Sequence, residues 1–240
     1  MLIPVDFKVT WMLGLTFHRI GPVDLTEQTV AHTQEVPTVS DNLLSQKTIS
    51  TEEIGIFFEP ISVSSSGELT FGGIDTSRTT SSITFTPITT TFPASQFWGI
   101  DQSISIGGGT ILDLTAGIVD TGTTLVLLAT GACVPVLEVT LCTPPLGSSH
   151  CLLDAFDKYV AKTGGKIDEE TGFLTITPSQ FAALENLDFH IGGKTFSLTP
   201  NAQILPRSLT SMIGGQEGQI FLIVNDVSTK LYCVIWCHRL

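Results

Sequence analysis

The run from Gly117 to Leu128 is apolar except where Asp120-Thr121-Gly122 interrupts it, and no other feature constrains the fold as strongly. A stretch this rich in Ile, Val and Leu reads as a strand bound for a core. A carboxylate at the end of such a strand is costly unless its oxygens are hydrogen-bonded. The flanking residues supply donors: Thr121, Thr123 and Thr124 carry hydroxyls, and Gly122 leaves a backbone amide accessible. As a bare tripeptide, Asp-Thr-Gly also reads as an ordinary Asx turn. Its setting between Gly117-Ile118-Val119 and Thr123-Thr124-Leu125-Val126 is what sharpens it.

The rest of the chain favours strands. With 42% hydrophobic and 14% charged residues, abundant Thr, Ser, Gly, Ile and Val, and little Lys, the composition suits strands and turns over long helices. Its 240 residues allow one large domain or two small ones. Residues 37–49 read as a short amphipathic helix capped at Ser40-Asp41. Strands are predicted at 53–59, 68–73, 83–86, 97–100 and 173–176, with a last one at 220–224. Hairpins are expected around Gly107-Gly108-Gly109 and Gly192-Gly193. Two further short helices are predicted, one from Asp154 to Lys162 ended by Gly164 and one from Pro178 to Leu187. Many short strands with a few brief helices specify an all-β domain.

The formal net charge of −12 and a pI near 4.6 argue against a nucleic-acid partner, because such a chain repels phosphate backbones. No run reaches the ~18–20 apolar residues that a spanning helix needs, so no membrane partner is expected. The start of the chain shows no basic region followed by an apolar stretch, so no signal peptide is read there. Cys133, Cys142, Cys151, Cys233 and Cys237 are odd in number and fall in two short stretches, which leaves at least one unpaired. Neither a metal nor any other cofactor is expected, since four well-spaced ligands are lacking. Gly107-Gly108-Gly109 lacks the Lys-Ser/Thr of a phosphate loop. His190 reads as a structural or solvent-facing residue of a strand.

Further segments join the Asp120 loop in a wider resemblance. They are Gly21 to Thr26, Pro37 to Leu43, Gly67 to Gly73, Phe97-Trp98-Gly99-Ile100, Phe189-His190-Ile191-Gly192-Gly193 and Asn201-Ala202-Gln203-Ile204. Together they resemble the pepsin-like aspartic endopeptidases, specifically the fungal polyporopepsin-like group, from about Gly21 onward. The resemblance implies an all-β, pepsin-like acid protease fold in incomplete form. Residues 1–60 would be a remnant of the N-terminal lobe, 61–90 a segment of the inter-lobe sheet, and 91–240 the C-terminal lobe. An insertion near 131–153 and an atypical C-terminus from 231 would depart from the family pattern, as would Leu15 to Arg19. In that family two aspartates share one proton and activate a water that attacks the peptide carbonyl. Asp120 would be the catalytic member from the C-terminal lobe. Thr121, Gly122 and Thr123 would support the loop, and Gly122, Thr123 and Thr124 would contact a polypeptide substrate.

The chain carries one Asp-Thr-Gly where a single-chain enzyme of this kind uses two. Asp75-Thr76-Ser77 is a near match that reads as a surface turn. In the family a strand with two apolar residues and a glycine supports each catalytic loop. Met12-Leu13-Gly14 resembles the first of these, and the second should follow Val224-Asn225-Asp226, where the sequence offers none. The expectation is an aspartic endopeptidase by family with impaired or absent activity in this chain. The alternative is a catalytically dead fragment, at most a half-cleft peptide binder, from a mis-spliced gene. A monomer is expected, with a homodimer pooling two Asp-Thr-Gly loops as the other arrangement. The family implies an extracellular protein.

Overall fold

Capping chemistry and paired glycines set several element boundaries in the computed structural model, which describes residues 37–59, 66–79, 81–92, 94–121, 123, 125–129, 154–227 and 233–236. Helix α1 (Val39–Ser45) starts at Thr38, whose hydroxyl accepts from the Asp41 amide at 3.2 Å while the Asp41 carboxylate accepts from the Thr38 amide at 2.7 Å. This reciprocal capping box satisfies two helix-start donors at once and sets the cap two residues before the expected Ser40. Strands β1 (Ile54–Phe58) and β2 (Gly67–Phe71) pair antiparallel in a sheet of their own.

The next two strands, β3 (Gly99–Ile106) and β4 (Gly109–Asp120), form the longest hairpin. It turns through Gly107 and Gly108, at φ +56° and +74°. Two successive left-handed residues make the tight hairpin turn whose twist matches the flanking strands, and glycine adopts it without strain. Strand β5 (Val126–Leu128) follows the Asp120 loop. Helix α2 (Ala155–Thr163) buries Ala155, Phe156, Tyr159 and Thr163 and stops at Gly164, which is left-handed. Then come β6 (Lys166–Ile167), β7 (Leu174–Ile176), α3 (Pro178–Ala182), and the hairpin of β8 (Leu187–Ile191) and β9 (Lys194–Leu198). Strands β10 (Ile220–Leu222), β11 (Val224–Asp226) and β12 (Cys233–Trp236) complete the order. The architecture is mostly strand with short helices, as predicted.

Three expectations need correction. Helix α3 ends at Ala182 and does not reach Leu187, because Leu187 is fully buried in β8, paired with Ile106 on one side and Leu198 on the other. Residues 83–86 form no strand, only a single bridge at Thr84, next to Pro87 with its missing amide donor. The third concerns the strand expected to be lost beside the Asp120 loop. β12 occupies that place. It runs parallel to β4, with Val234 opposite Ile118 and Trp236 opposite Asp120, and antiparallel to β5, with Val234 opposite Leu127. A search for two apolar residues and a glycine misses it, since backbone pairing demands only an extended segment of the right length.

A seven-stranded sheet in the order β11-β5-β12-β4-β3-β8-β9 and a three-stranded sheet in the order β10-β7-β6 enclose the core. Ile100, Ile104, Leu112, Leu128, Leu174, Leu187, Phe221 and Leu222 are sealed from solvent within it. Ile223 links the two sheets, donating to the Gln203 carbonyl and accepting from the Val126 amide, both at 2.9 Å. The fully buried Gln203 amide also accepts from the Tyr159 hydroxyl at 3.0 Å and donates to the carbonyls of Glu185 and Leu198 at 2.8 and 2.9 Å. Burial pushes the Tyr159 phenol well above its ordinary range. Its unfolded form ionises near pH ~10 while the folded form stays neutral, so this contribution to stability is intact below pH ~10 and lost as pH rises beyond it. Tyr159→Phe should cost about 1–3 kcal/mol at neutral pH by orphaning the Gln203 oxygen. It should also flatten the alkaline decline, as denaturant midpoints on either side of pH ~10 would show.

The insertion expected near 131–153 lies outside the described residues, but its flanks are informative. The Phe156 amide donates to the Ala129 carbonyl at 3.2 Å. Without residues 131–153 those two positions would be four apart, the spacing of an α-helical hydrogen bond. A chain lacking 131–153 should therefore keep α2 and melt cooperatively at an unchanged or higher temperature, because a shorter connection costs less closure entropy. Loss of the cooperative melt would show the segment to be part of the core.

Candidate active site

Asp120 is the last residue of β4, half-buried where the strand leaves the sheet. The Thr123 hydroxyl donates to Asp120 Oδ2 at 2.5 Å, a bond that folds the loop back on the carboxylate. Before Asp120, the Val119 amide donates to the Trp98 carbonyl at 2.9 Å. Beyond the loop, partly buried Leu125 packs on the core and the Val126 amide donates to the Ile223 carbonyl at 2.9 Å. Both arms of the loop are thus anchored in the sheet, with β12 between them.

Of the residues singled out from sequence, Asp120 and Thr123 are in direct contact, and Thr121 is half-buried beside them. Gly122 and Thr124 lie outside the described residues. Asp75-Thr76-Ser77 is a surface turn, as predicted. The Asp75 side chain accepts from the Ser77 amide at 2.9 Å at the start of a one-turn 3-10 helix. Hydrogen bonds from Ser77 hold the Asp75 carboxyl below its ordinary range. Arg78 ties the turn to the β1–β2 sheet through Glu59, Glu68 and Asp75, at 3.4, 3.2 and 3.7 Å, and lies over the Phe57 ring. His190 is structural: its ring nitrogens meet the hydroxyls of Ser105 and Thr195 at 2.8 and 2.9 Å, bridging β3, β8 and β9.

Sequence reasoning missed the loop of residues 89–99, which packs against β4, the strand that ends at Asp120. Its Ala94 forms a small buried cluster with Ala116 and Ile118 of β4. A Cβ on Gly99 would overlap the Ala94 carbonyl and sit 2.8 Å from the Thr89 methyl. The signal was the lone glycine in the apolar run Phe97-Trp98-Gly99-Ile100, which marks close approach of another backbone.

Among the described residues no helix is long and apolar enough to cross a membrane. The sequence model of the eukaryotic aspartyl protease family matches residues 8–227. The chain is 49% identical over 215 residues to polyporopepsin from Irpex lacteus, covering 88% of this chain and 56% of that protein. It is 30% identical over 227 residues to rhizopuspepsin-1 from Rhizopus niveus, covering 94% of this chain and 49% of that protein. The chain thus spans about half the length of the curated relatives it matches. The crystal structure of the aspartic proteinase from Irpex lacteus superposes with a TM-score of 0.75 at 45% identity, over 90% of this chain and 60% of that one. With a carboxylate loop set in a matching all-β, pepsin-like fold, the chain belongs to the eukaryotic aspartyl protease family.

Proposed function

We propose that the chain supplies one carboxylate, Asp120, of a two-carboxylate acid endopeptidase acting on polypeptides. The observation that carries this reading is the anchored loop: Asp120 ends a paired strand, its carboxylate takes the Thr123 hydroxyl, and both flanks are fixed in the sheet. In the complete site a second carboxylate would face Asp120 and share one proton with it. The ionised member would draw a proton from water as it attacks the scissile carbonyl, and the protonated member would polarise that carbonyl. Thr121 and Gly122 would shape the loop, while Gly122, Thr123 and Thr124 would border the substrate. The proposed division is a first-lobe remnant over 1–60, an inter-lobe segment over 61–90 and the second lobe over 91–240. An extracellular monomer without nucleic-acid or membrane partners is the setting this reading favours.

One observation favours a second reading, a catalytically silent peptide binder: these 240 residues hold a single Asp-Thr-Gly. Acid proteolysis assays separate the two. The chain is combined with a separately expressed first lobe bearing its own Asp-Thr-Gly, with and without a transition-state-analogue inhibitor. Inhibitor-sensitive cleavage that vanishes in Asp120→Asn supports the endopeptidase reading; peptide binding without cleavage supports the silent one. Cleavage by the chain alone, rising with the square of its concentration, would point to pooling of two identical loops.

A further inference from the structure

We propose that Thr89 is a positioning residue for Asp120, acting through the loop of residues 89–99; the proposal rests on the reading of Asp120 as the catalytic carboxylate. Thr89 is 3% exposed, and its hydroxyl works in both directions. It donates to the Asp101 carboxylate on β3 at 2.7 Å and accepts from the Thr91 amide at 3.2 Å. Its own amide donates to the Gly99 carbonyl at 2.9 Å. The backbone amide of Thr89 therefore joins the start of the loop to its end, and its hydroxyl ties that closure to Thr91 and to Asp101 on the strand that follows.

Inside that closure the chain is wound tightly. The Ser95 amide donates to the Thr91 carbonyl at 2.8 Å and the Phe97 amide to the Ala94 carbonyl at 3.0 Å. The closed loop presses Ala94 onto Ala116 and Ile118 of β4. It also delivers the Trp98 carbonyl to the Val119 amide, one residue before Asp120. On the β3 side, then, the last step of the catalytic strand is fixed by a carbonyl whose place depends on Thr89. A hydroxyl is required at this position because a buried group must both donate and accept, which an isosteric valine cannot do.

The test compares Thr89→Val, which keeps shape and removes the hydroxyl, with Thr89→Ser, which keeps the hydroxyl. Native-state amide exchange at Val119 should accelerate about tenfold in the valine variant, the change expected from one lost buried hydrogen bond. Amides of β8 should be unchanged. The Asp120 carboxyl-carbon resonance should move in the valine variant and hold in the serine variant. Asp101→Leu removes the acceptor at an exposed position and should reproduce the valine result even if Thr89→Val folds poorly. Equal protection of Val119 in all variants, or loss of protection spread evenly over β4 and β8, would overturn the proposal. None of these readouts needs turnover, so they stand apart from the outcome of the proteolysis assay.

Discussion

Asp120→Asn is expected to reduce acid proteolysis by the complemented protease by ~10²–10⁴-fold, the scale of a lost general acid–base partner. Asparagine has nearly the shape of aspartate and can still accept the Thr123 hydroxyl through its amide oxygen, so the loop geometry that holds Asp120 survives the exchange. What disappears is the capacity to share a proton with a facing carboxylate and to take one from the attacking water. The loss should therefore fall on kcat, with KM for a peptide substrate nearly unchanged, because contacts with substrate away from the reacting atoms are untouched. Thr123→Val should be milder. It removes the donor to Asp120 and leaves the carboxylate in place, so a loss on the order of tenfold is expected, matching one hydrogen bond. The comparison checks the role assignment: if both variants cost the same, Asp120 is acting through loop structure and not as a proton-transfer group.

Where a residue type dictates a local conformation, the fold was legible in the sequence. Gly107-Gly108 and Gly192-Gly193 turn their hairpins where expected because both residues of each pair adopt positive φ, which glycine alone takes freely. Gly164 ends α2 for the same reason. Misreadings occur where a distant partner decides. Leu187 joins a strand and not a helix because Ile106, far away in sequence, and Leu198, on the other arm of its hairpin, pair with it. The cap of α1 at Thr38 is the exception: its partner Asp41 lies three residues on, a local spacing that the sequence shows. At the site, Asp120 and Thr123 were visible because the motif is contiguous. The brace from Thr89 to Gly99 was not, since its bonds to Asp101 and Val119 cross between elements.

The strand that proved hardest to read carries the second large prediction: Ile235→Pro should destabilise the protein by about 2–4 kcal/mol, combining a lost ladder bond with an orphaned partner group. β4 and β5 diverge on leaving the Asp120 loop, and β12 lies between them, so each arm is one strand spacing, about 4.8 Å, from it. Val234, Ile235 and Trp236 stand opposite Ile118, Val119 and Asp120, and Val234 also stands opposite Leu127. Proline at 235 has no amide hydrogen to give, and its ring crowds the neighbouring strand. The inner edges of β4 and β5 would then face each other across a gap with unpaired backbone groups, which a buried sheet interior does not tolerate. A loss of this size is a large part of the ~5–15 kcal/mol that keeps a typical domain folded. It should appear as a lowered denaturant midpoint and as faster amide exchange at residues 117–120 and 126–128. Ile235→Val, which keeps the amide and suits a strand, should change neither by much. An Ile235→Pro protein that melts like the parent, with β4 and β5 still protected, would mean that Cys233–Trp236 does not fill the slot between the arms, and that the Asp120 loop is held by the β3 side and β11 alone.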